Sequence, residues 1–278
     1  MVRGVAYVWP VTAERAPLDE TTLRAAIAGG PVWRTVEVVA ETGSTNSDLI
    51  ARANGGADIA GAVLIAEHQT AGRGRQGRSW SAARYAQITM SVAIDAAEVP
   101  TEAWGWLPLA TGVAIVDTVT AIGVDAGLKW PNDVLAGGGK LAGILAEVAA
   151  EQRAVVVGIG LNVSLRGDEV GVDGVTSLVG LGVAAPDRQG LVVRLLNELG
   201  RRVDAWRRAG GVDPELIGDY RSRSLTLGMP VRAILPGDRE IVGVARDVDD
   251  QGRLSIDTDG QTTTVAAGDI VHLRPADT

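Results

Sequence analysis

Lys129-Trp130-Pro131-Asn132-Asp133-Val134-Leu135-Ala136-Gly137-Gly138-Gly139-Lys140-Leu141-Ala142-Gly143-Ile144-Leu145 is the stretch on which the fold turns. Two short apolar runs flank consecutive glycines, the composition of a hairpin tip between antiparallel strands. Strands are therefore expected over 125–130, 133–136 and 141–148, with the valine-rich run 154–163 as the next. Upstream, 35–40, 62–67 and 86–94 read as further strands, and the leucine and isoleucine spacing of 18–27 and 48–53 reads as short helices. Residues 43–46 are polar enough for the turn between strand and helix. The apolar run 104–122 contains Pro108 and Asp117, which suits a buried helix after a turn and not a membrane span. Leu191, Leu195, Leu199, Val203 and Trp206 keep the 3.6 period over a long helix, and Asp213-Pro214 opens another in N-cap and N1 order. After Leu225 the period becomes two, with turns at Pro236-Gly237-Asp238, Asp249-Asp250-Gln251-Gly252 and Thr258-Asp259-Gly260, as in a small barrel. The fold class expected is α+β: a mixed, mostly antiparallel sheet with helices, then a small β-domain.

Composition limits the chemistry. The 278 residues include no Cys, which removes disulfides, thiolate catalysis and Cys-ligated metals. Only two histidines occur, His68 and His272, too far apart in sequence for the paired helical motif of zinc hydrolases. The net charge of −8 repels nucleic acid and anionic membrane surfaces, so a bound anion must be drawn by a local cluster. Arg3 and the apolar run 5–11, interrupted by Pro10, resemble a signal peptide only loosely and are read as a tail, which points to a cytoplasmic protein.

Such a cluster exists in Gly72-Arg73-Gly74-Arg75-Gln76-Gly77-Arg78. Guanidinium groups bind phosphate and carboxylate oxygens bidentately, and glycines let backbone approach an anion and let a loop move. The plain alternative is a solvated loop, and the Gly-Lys-Ser/Thr ending of a P-loop is missing. Ser44-Thr45-Asn46 offers short polar side chains at a helix start, either an ordinary N-cap or a binding set. Lys129 to Asp133 gathers a cation, an aromatic ring, a proline and a carboxylate at a strand end, and a core Trp with a turn is the bland account. Lys140 beside the glycine tip is a surface cation or the neutraliser of a bound carboxylate. Asn162 at a strand end is a turn residue or a base-reading amide.

In chain order, Ser44-Thr45-Asn46, then Glu67-His68-Gln69-Thr70-Ala71-Gly72-Arg73-Gly74-Arg75-Gln76-Gly77-Arg78, then Lys129-Trp130-Pro131-Asn132-Asp133, then Lys140-Leu141-Ala142-Gly143-Ile144-Leu145, then Gly160-Leu161-Asn162 closely resemble the biotin protein ligases. The resemblance runs from about 42 to 164 and continues more weakly to the C-terminus. It implies a catalytic domain of the class II synthetase and lipoate ligase kind over 42–223, an SH3-like domain over 224–278, and a first segment, 1–41, with one short helix. It also implies a reaction. Biotin and ATP give biotinyl-5′-adenylate and pyrophosphate, with Mg²⁺ assisting, and the adenylate acylates a lysine of a biotin carboxyl carrier domain.

By the same resemblance, Ser44, Thr45, Asn46, Gln69 and Gly143 line the biotin head, with Arg73, Gly74, Arg75 and Lys140 around the carboxyl and adenylate. Arg73, Arg75, Arg78, Trp80, Asn132, Lys140 and Asn162 belong to the nucleotide, Arg75, Lys140 and Lys129 to catalysis, and Asp133 to the metal. Members that also act as repressors carry an N-terminal helix-turn-helix, whereas one helix is readable before residue 42 here. A ligase without specific DNA binding is the expectation. The readings that compete are a lipoate-type ligase, which shares fold and chemistry, and a non-catalytic adenylate- or metabolite-binding module.

Overall fold

The computed structural model describes residues 15–272, apart from Ala82, 167–168, 170–173, 236–238 and 267–268. The tail at 5–11 and the turn at 236–238 lie outside the described residues. The elements run α1 (Glu20–Ile27), β1 (Thr35–Val39), α2 (Thr45–Asn54), β2 (Ala62–Ala66), β3 (Gln87–Asp95), α3 (Trp106–Thr120), β4 (Ala126–Lys129), β5 (Asp133–Ala136), β6 (Gly139–Ala149), β7 (Ala154–Asn162), α4 (Arg188–Arg208) and α5 (Pro214–Arg223). After these come β8 (Pro230–Leu235), β9 (Arg239–Val248), β10 (Leu254–Thr258), β11 (Gln261–Val265) and β12 (Asp269–His272).

Seven strands form one sheet in the order β1-β2-β3-β7-β6-β5-β4. Only β1 and β2 pair in parallel; every other neighbour is antiparallel. The glycine tip behaves as its composition demands. Gly137 and Gly138 take φ of 55° and 80°, the left-handed pair that closes a two-residue hairpin and that side chains resist. Gly139 is already in β6.

The period of two divides the sheet into two faces. Ile88, Met90, Val92 and Ile94 of β3 and Val155, Val157, Ile159 and Leu161 of β7 enter the main core with α1, α3, α4 and α5. Helix α3 is buried almost all round, as its predominantly apolar sequence requires. The opposite face carries α2, whose Leu49 and Ala53 pack on Leu64, Ala93 and Val156. Helix α2 begins earlier than the sequence reading placed it. Ser44 is the N-cap, its hydroxyl accepting from the Ser47 N–H at 3.4 Å, so Thr45 and Asn46 lie in the first helical turn and not in a preceding loop.

The segment before residue 42 is part of this unit: β1 forms a sheet edge, and Leu23, Ile27 and Trp33 are buried in the core. Four charged side chains, one buried and three half-buried, tie the helices together. Arg202, 3% exposed, is paired with Asp117 and with Asp219 at 2.8 Å, while Arg223 meets Asp117 at 2.8 Å and Asp219 at 2.9 Å. Burial by itself raises the Asp219 carboxyl, but hydrogen bonds from Arg202 and Arg223 outweigh it and hold the group below the usual Asp range.

A second, separate sheet has the all-antiparallel order β11-β10-β9-β8-β12. It docks on the first through indole and backbone contacts. Trp106 Nε1 donates to Asp249 O and Trp130 Nε1 to Gly252 O, each at 3.1 Å, and the Trp130 N–H donates to Thr226 Oγ1 at 3.1 Å. Among the described residues no helix is long and apolar enough to cross a membrane.

Candidate functional site

The sheet face that carries α2 is not apolar along its whole length. On β3 the positions facing it are Gln87, Thr89 and Ser91, all buried. Their register partners on β7 are Asn162, Gly160 and Gly158, and Gly160 and Gly158 are in turn paired with Gly143 and Leu145 of β6. The result is a floor with almost no side-chain height. A Cβ on Gly158 would stand 2.4 Å from Asn46 Oδ1, and one on Gly160 2.3 Å from the Trp80 ring, so both positions require glycine. Above this floor lies a cleft of about 520 Å³, a size within the roughly 300–1,000 Å³ of small-molecule sites.

Each residue singled out in the sequence reaches this cleft: Ser44, Thr45, Asn46, Gln69, Arg73, Gly74, Arg75, Arg78, Trp80, Lys129, Asn132, Asp133, Lys140, Gly143 and Asn162. At one end a polar relay is buried. Gln69 Oε1 accepts from the Thr45 N–H at 2.8 Å and lies 3.1 Å from Thr45 Oγ1. Thr45 Oγ1 stands 2.6 Å from Ser91 Oγ, and Ser91 Oγ donates to Asn46 Oδ1 at 2.6 Å. Such a set is stable without water only because nearly every group has a partner, and it can offer oriented donors and acceptors to a small polar head.

The other end is cationic. Lys140 lies on β6 just past the hairpin tip, its Nζ 2.7 Å from Asp133 Oδ1 and 5.6 Å from the Trp80 ring centroid. Arg75 Nη1 donates to Asn132 Oδ1 at 3.2 Å, and Asn132 is itself fixed by donating to Ile144 O at 3.0 Å. Lys129, half-buried at the end of β4, is the register partner of Asp133. The Gly/Arg loop is closed by its own backbone: Gly74 N–H to Arg78 O at 2.6 Å, Arg78 N–H to Arg75 O at 3.1 Å and Trp80 N–H to Gly72 O at 2.8 Å. It carries Trp80 down onto the glycine floor.

Two sequence readings are refined. The Asn162 amide is committed to the frame, its Oδ1 accepting from Gln87 Nε2 at 2.8 Å and its Nδ2 donating to Thr176 O at 2.9 Å and Lys140 O at 3.3 Å. Both Nδ2 protons are spent on the frame, and the amide shapes the cleft wall. Trp130 is buried and spends its indole N–H on the second sheet, as the bland reading of a core Trp had it. Glu67, first residue of the Glu-His-Gln motif, is also structural. It pairs with Arg188 at 2.5 Å and accepts from the Leu18 N–H at 2.6 Å.

For a divalent cation the donors do not suffice. Asp133 is taken up by Lys140, and no cluster of three or more His, Asp or Glu groups exists among the described residues. The residues present do not build a metal site.

Sequence reasoning missed Gln87, Thr89 and Ser91, although polar residues at every second position of Gln87-Ile88-Thr89-Met90-Ser91-Val92 were a legible sign that one face of a buried strand meets something polar. It also missed Leu165 and Val175, and Ile234 and Ile270 of the second sheet, which add apolar wall to the same cleft and which no local pattern marks.

Comparison with known proteins agrees with this geometry. Residues 43–164 match the biotin/lipoate A/B protein ligase family, and residues 226–273 the biotin protein ligase C-terminal domain. The chain is 58% identical over 265 residues to a biotin–[acetyl-CoA-carboxylase] ligase of Mycobacterium tuberculosis, covering 94% of this chain and 97% of that protein. It is 33% identical over 253 residues to the bifunctional ligase/repressor BirA of Escherichia coli, covering 87% of this chain and 75% of that protein. The solved biotin protein ligase of Aquifex aeolicus in complex with biotin and ATP superposes with a TM-score of 0.74 at 25% identity, over 87% of this chain and 100% of that one.

Proposed function

This chain belongs to the biotin/lipoate A/B protein ligase family, among its biotin protein ligases, and on that premise we propose that it activates biotin with ATP and transfers it to a lysine of a biotin carboxyl carrier domain. The observation that carries the reading is the polarity of one cleft: a buried relay of Thr45, Gln69, Ser91 and Asn46 at one end, and Lys140 with the Gly/Arg loop at the other.

The two ends suit the two halves of the substrate. A ureido head has both N–H donors and a carbonyl acceptor, and in a buried slot each must be answered. Ser44, Thr45, Asn46 and Gln69 do so, over the bare backbone at Gly143. In the first step a biotin carboxylate oxygen bonds to the α-phosphorus of ATP, and the bond from that phosphorus to the β-phosphate oxygen breaks, releasing pyrophosphate. Two anionic groups must approach, so the residues needed are fixed cations and not a nucleophile. Lys140, Arg73, Arg75 and Arg78 meet that need, with Lys129 nearby; Gly74 lets the loop backbone come close, and Trp80, Asn132 and Asn162 wall the nucleotide. In the second step the carrier lysine nitrogen bonds to the acyl carbon, the bond from that carbon to the AMP oxygen breaks, and the nitrogen loses a proton. Mg²⁺ enters in this reading with the nucleotide's phosphates, and no step depends on a protein-built metal site.

In the same reading, 42–223 carries the catalytic residues, in one unit with α1 and β1, and 224–278 is an SH3-like partner. The protein works in the cytoplasm on a carboxylase carrier and does not bind DNA specifically. Pyrophosphate exchange into ATP tests the assignment. Biotin supports exchange, whereas lipoate has no ureido group to exchange hydrogen bonds with the relay and supports little. Equal exchange with both acids refutes it.

A further inference from the structure

Glu147 has no task in the reaction as described, yet it touches both ends of the machinery. It lies on the site face of β6, two residues beyond Leu145, with its side chain 24% exposed. Its two oxygens are divided between separate segments. Oε2 accepts from Asn46 Nδ2 at 2.9 Å, and Oε1 meets Arg73 Nη2 at 2.9 Å.

The first contact sets the direction of the polar relay. Asn46 Nδ2 donates to Leu145 O at 3.1 Å as well as to Glu147, so both amide protons go to β6 and Oδ1 is left facing Ser91. Ser91 must then spend its proton on Asn46, which obliges Thr45 to be the donor in the 2.6 Å contact between the two hydroxyls. A reversed Asn46 amide would reverse each of these bonds in turn. An ionised carboxylate only accepts, so Glu147 permits one orientation.

The second contact acts on the loop. Arg73 is exposed on the solvent side, and besides Glu147 its Nη1 reaches Ser47 Oγ at 3.2 Å. The first arginine of the loop is thereby held against α2 and β6 by a charge-assisted bond.

We propose that Glu147 is a positioning residue that organises both parts of the site, fixing the hydrogen-bond polarity of the head-group end through Asn46 and holding the Gly/Arg loop over the cleft through Arg73. The head-group half rests on the biotin reading above; the loop half does not.

The two halves separate in the full-length protein. Glu147→Gln keeps an acceptor for Asn46 but loses the charge facing Arg73, and Glu147→Ala loses both. Trypsin cleavage after Arg73, measured without ligand against cleavage after the exposed Arg208, should rise roughly tenfold in both variants, the effect of one lost charge-assisted hydrogen bond. In the exchange assay Glu147→Ala should raise the KM for biotin roughly tenfold with kcat nearly unchanged. Glu147→Gln should restore it. Unchanged cleavage at Arg73 in both variants overturns the loop half. A biotin KM that stays at the wild-type value in Glu147→Ala, or equal losses in KM, kcat and melting temperature in both variants, overturns the head-group half, because a merely structural residue behaves that way. If the unsubstituted protein shows no biotin-dependent exchange, the functional reading and the head-group half fail together, and the cleavage comparison still decides the loop half.

Discussion

Replacing Lys140 by Ala should separate catalysis from folding in this protein. The side chain is 31% exposed, its carboxylate partner Asp133 is 24% exposed, and its ammonium lies 5.6 Å from the Trp80 ring centroid. An ion pair in that partly exposed setting contributes about 0–1 kcal/mol to stability, and a cation–π contact of this kind about 0.5–1 kcal/mol. For a catalytic unit of this size the melting temperature should therefore fall by no more than about 4–8 °C. Catalysis depends on the same ammonium differently. When carboxylate and α-phosphate are forced together, the loss of one charge-assisted contact costs about 1.5–3 kcal/mol of transition-state stabilisation, which is roughly a 10- to 150-fold slower adenylation. The assay is the single-turnover rate of biotinyl-adenylate formation in purified variant and parent, beside a thermal melt of each. A folded Lys140→Ala protein that forms adenylate at the parental rate would show that the lysine is only a surface cation. The neighbouring carboxylate gives a control. Asp133→Asn removes the holder but keeps the cation, so its effect on adenylation should be smaller than that of Lys140→Ala.

Gly160→Val should abolish ligand binding while leaving secondary structure intact, since its Cβ would stand 2.3 Å from the Trp80 ring and drive the indole off the floor; unchanged biotin binding by calorimetry would refute this. Stability should fall in acid through the helix network. The Asp219 carboxyl is held below its ordinary 3.8, so its contribution is complete above about pH 4 and is lost as the pH falls through its lower folded value; melting profiles of the parent and Asp219→Asn should converge in acid, and parallel profiles would exclude the effect. Biotin with ATP should slow trypsin cleavage after Arg73, Arg75 and Arg78 more than cleavage elsewhere, because phosphate oxygens add charge-assisted bonds to those the arginines already make; equal rates with ligand demonstrably bound would refute loop ordering. A sequence-specific footprint on DNA at physiological salt would contradict the expectation drawn from the net charge of −8.

Much of this molecule is written locally. Gly137-Gly138 can close a two-residue hairpin whatever surrounds it, Asp213-Pro214 starts a helix by its own geometry, and alternation over Ile88, Met90 and Val92 fixes which strand face enters the core. The chemistry of Lys140 and the Gly/Arg loop was legible for a similar reason: charge and backbone freedom belong to the residue itself, and their order along the chain carried the resemblance. What the sequence could not supply was how each polar group would be spent. Whether Asn162 reads a ligand or braces a wall depends on Gln87, 75 residues away, and whether Glu147 is a solvated acid or an organiser depends on Asn46, 101 residues away. The same holds for Arg15, bonded to Glu169 across 154 residues, and for Ile234 and Ile270 in the cleft wall. A hydrogen bond or an ion pair is a property of two positions brought within about 3 Å. Strand register and domain docking bring them there, so only the folded chain decides which donors are occupied and which remain for a ligand.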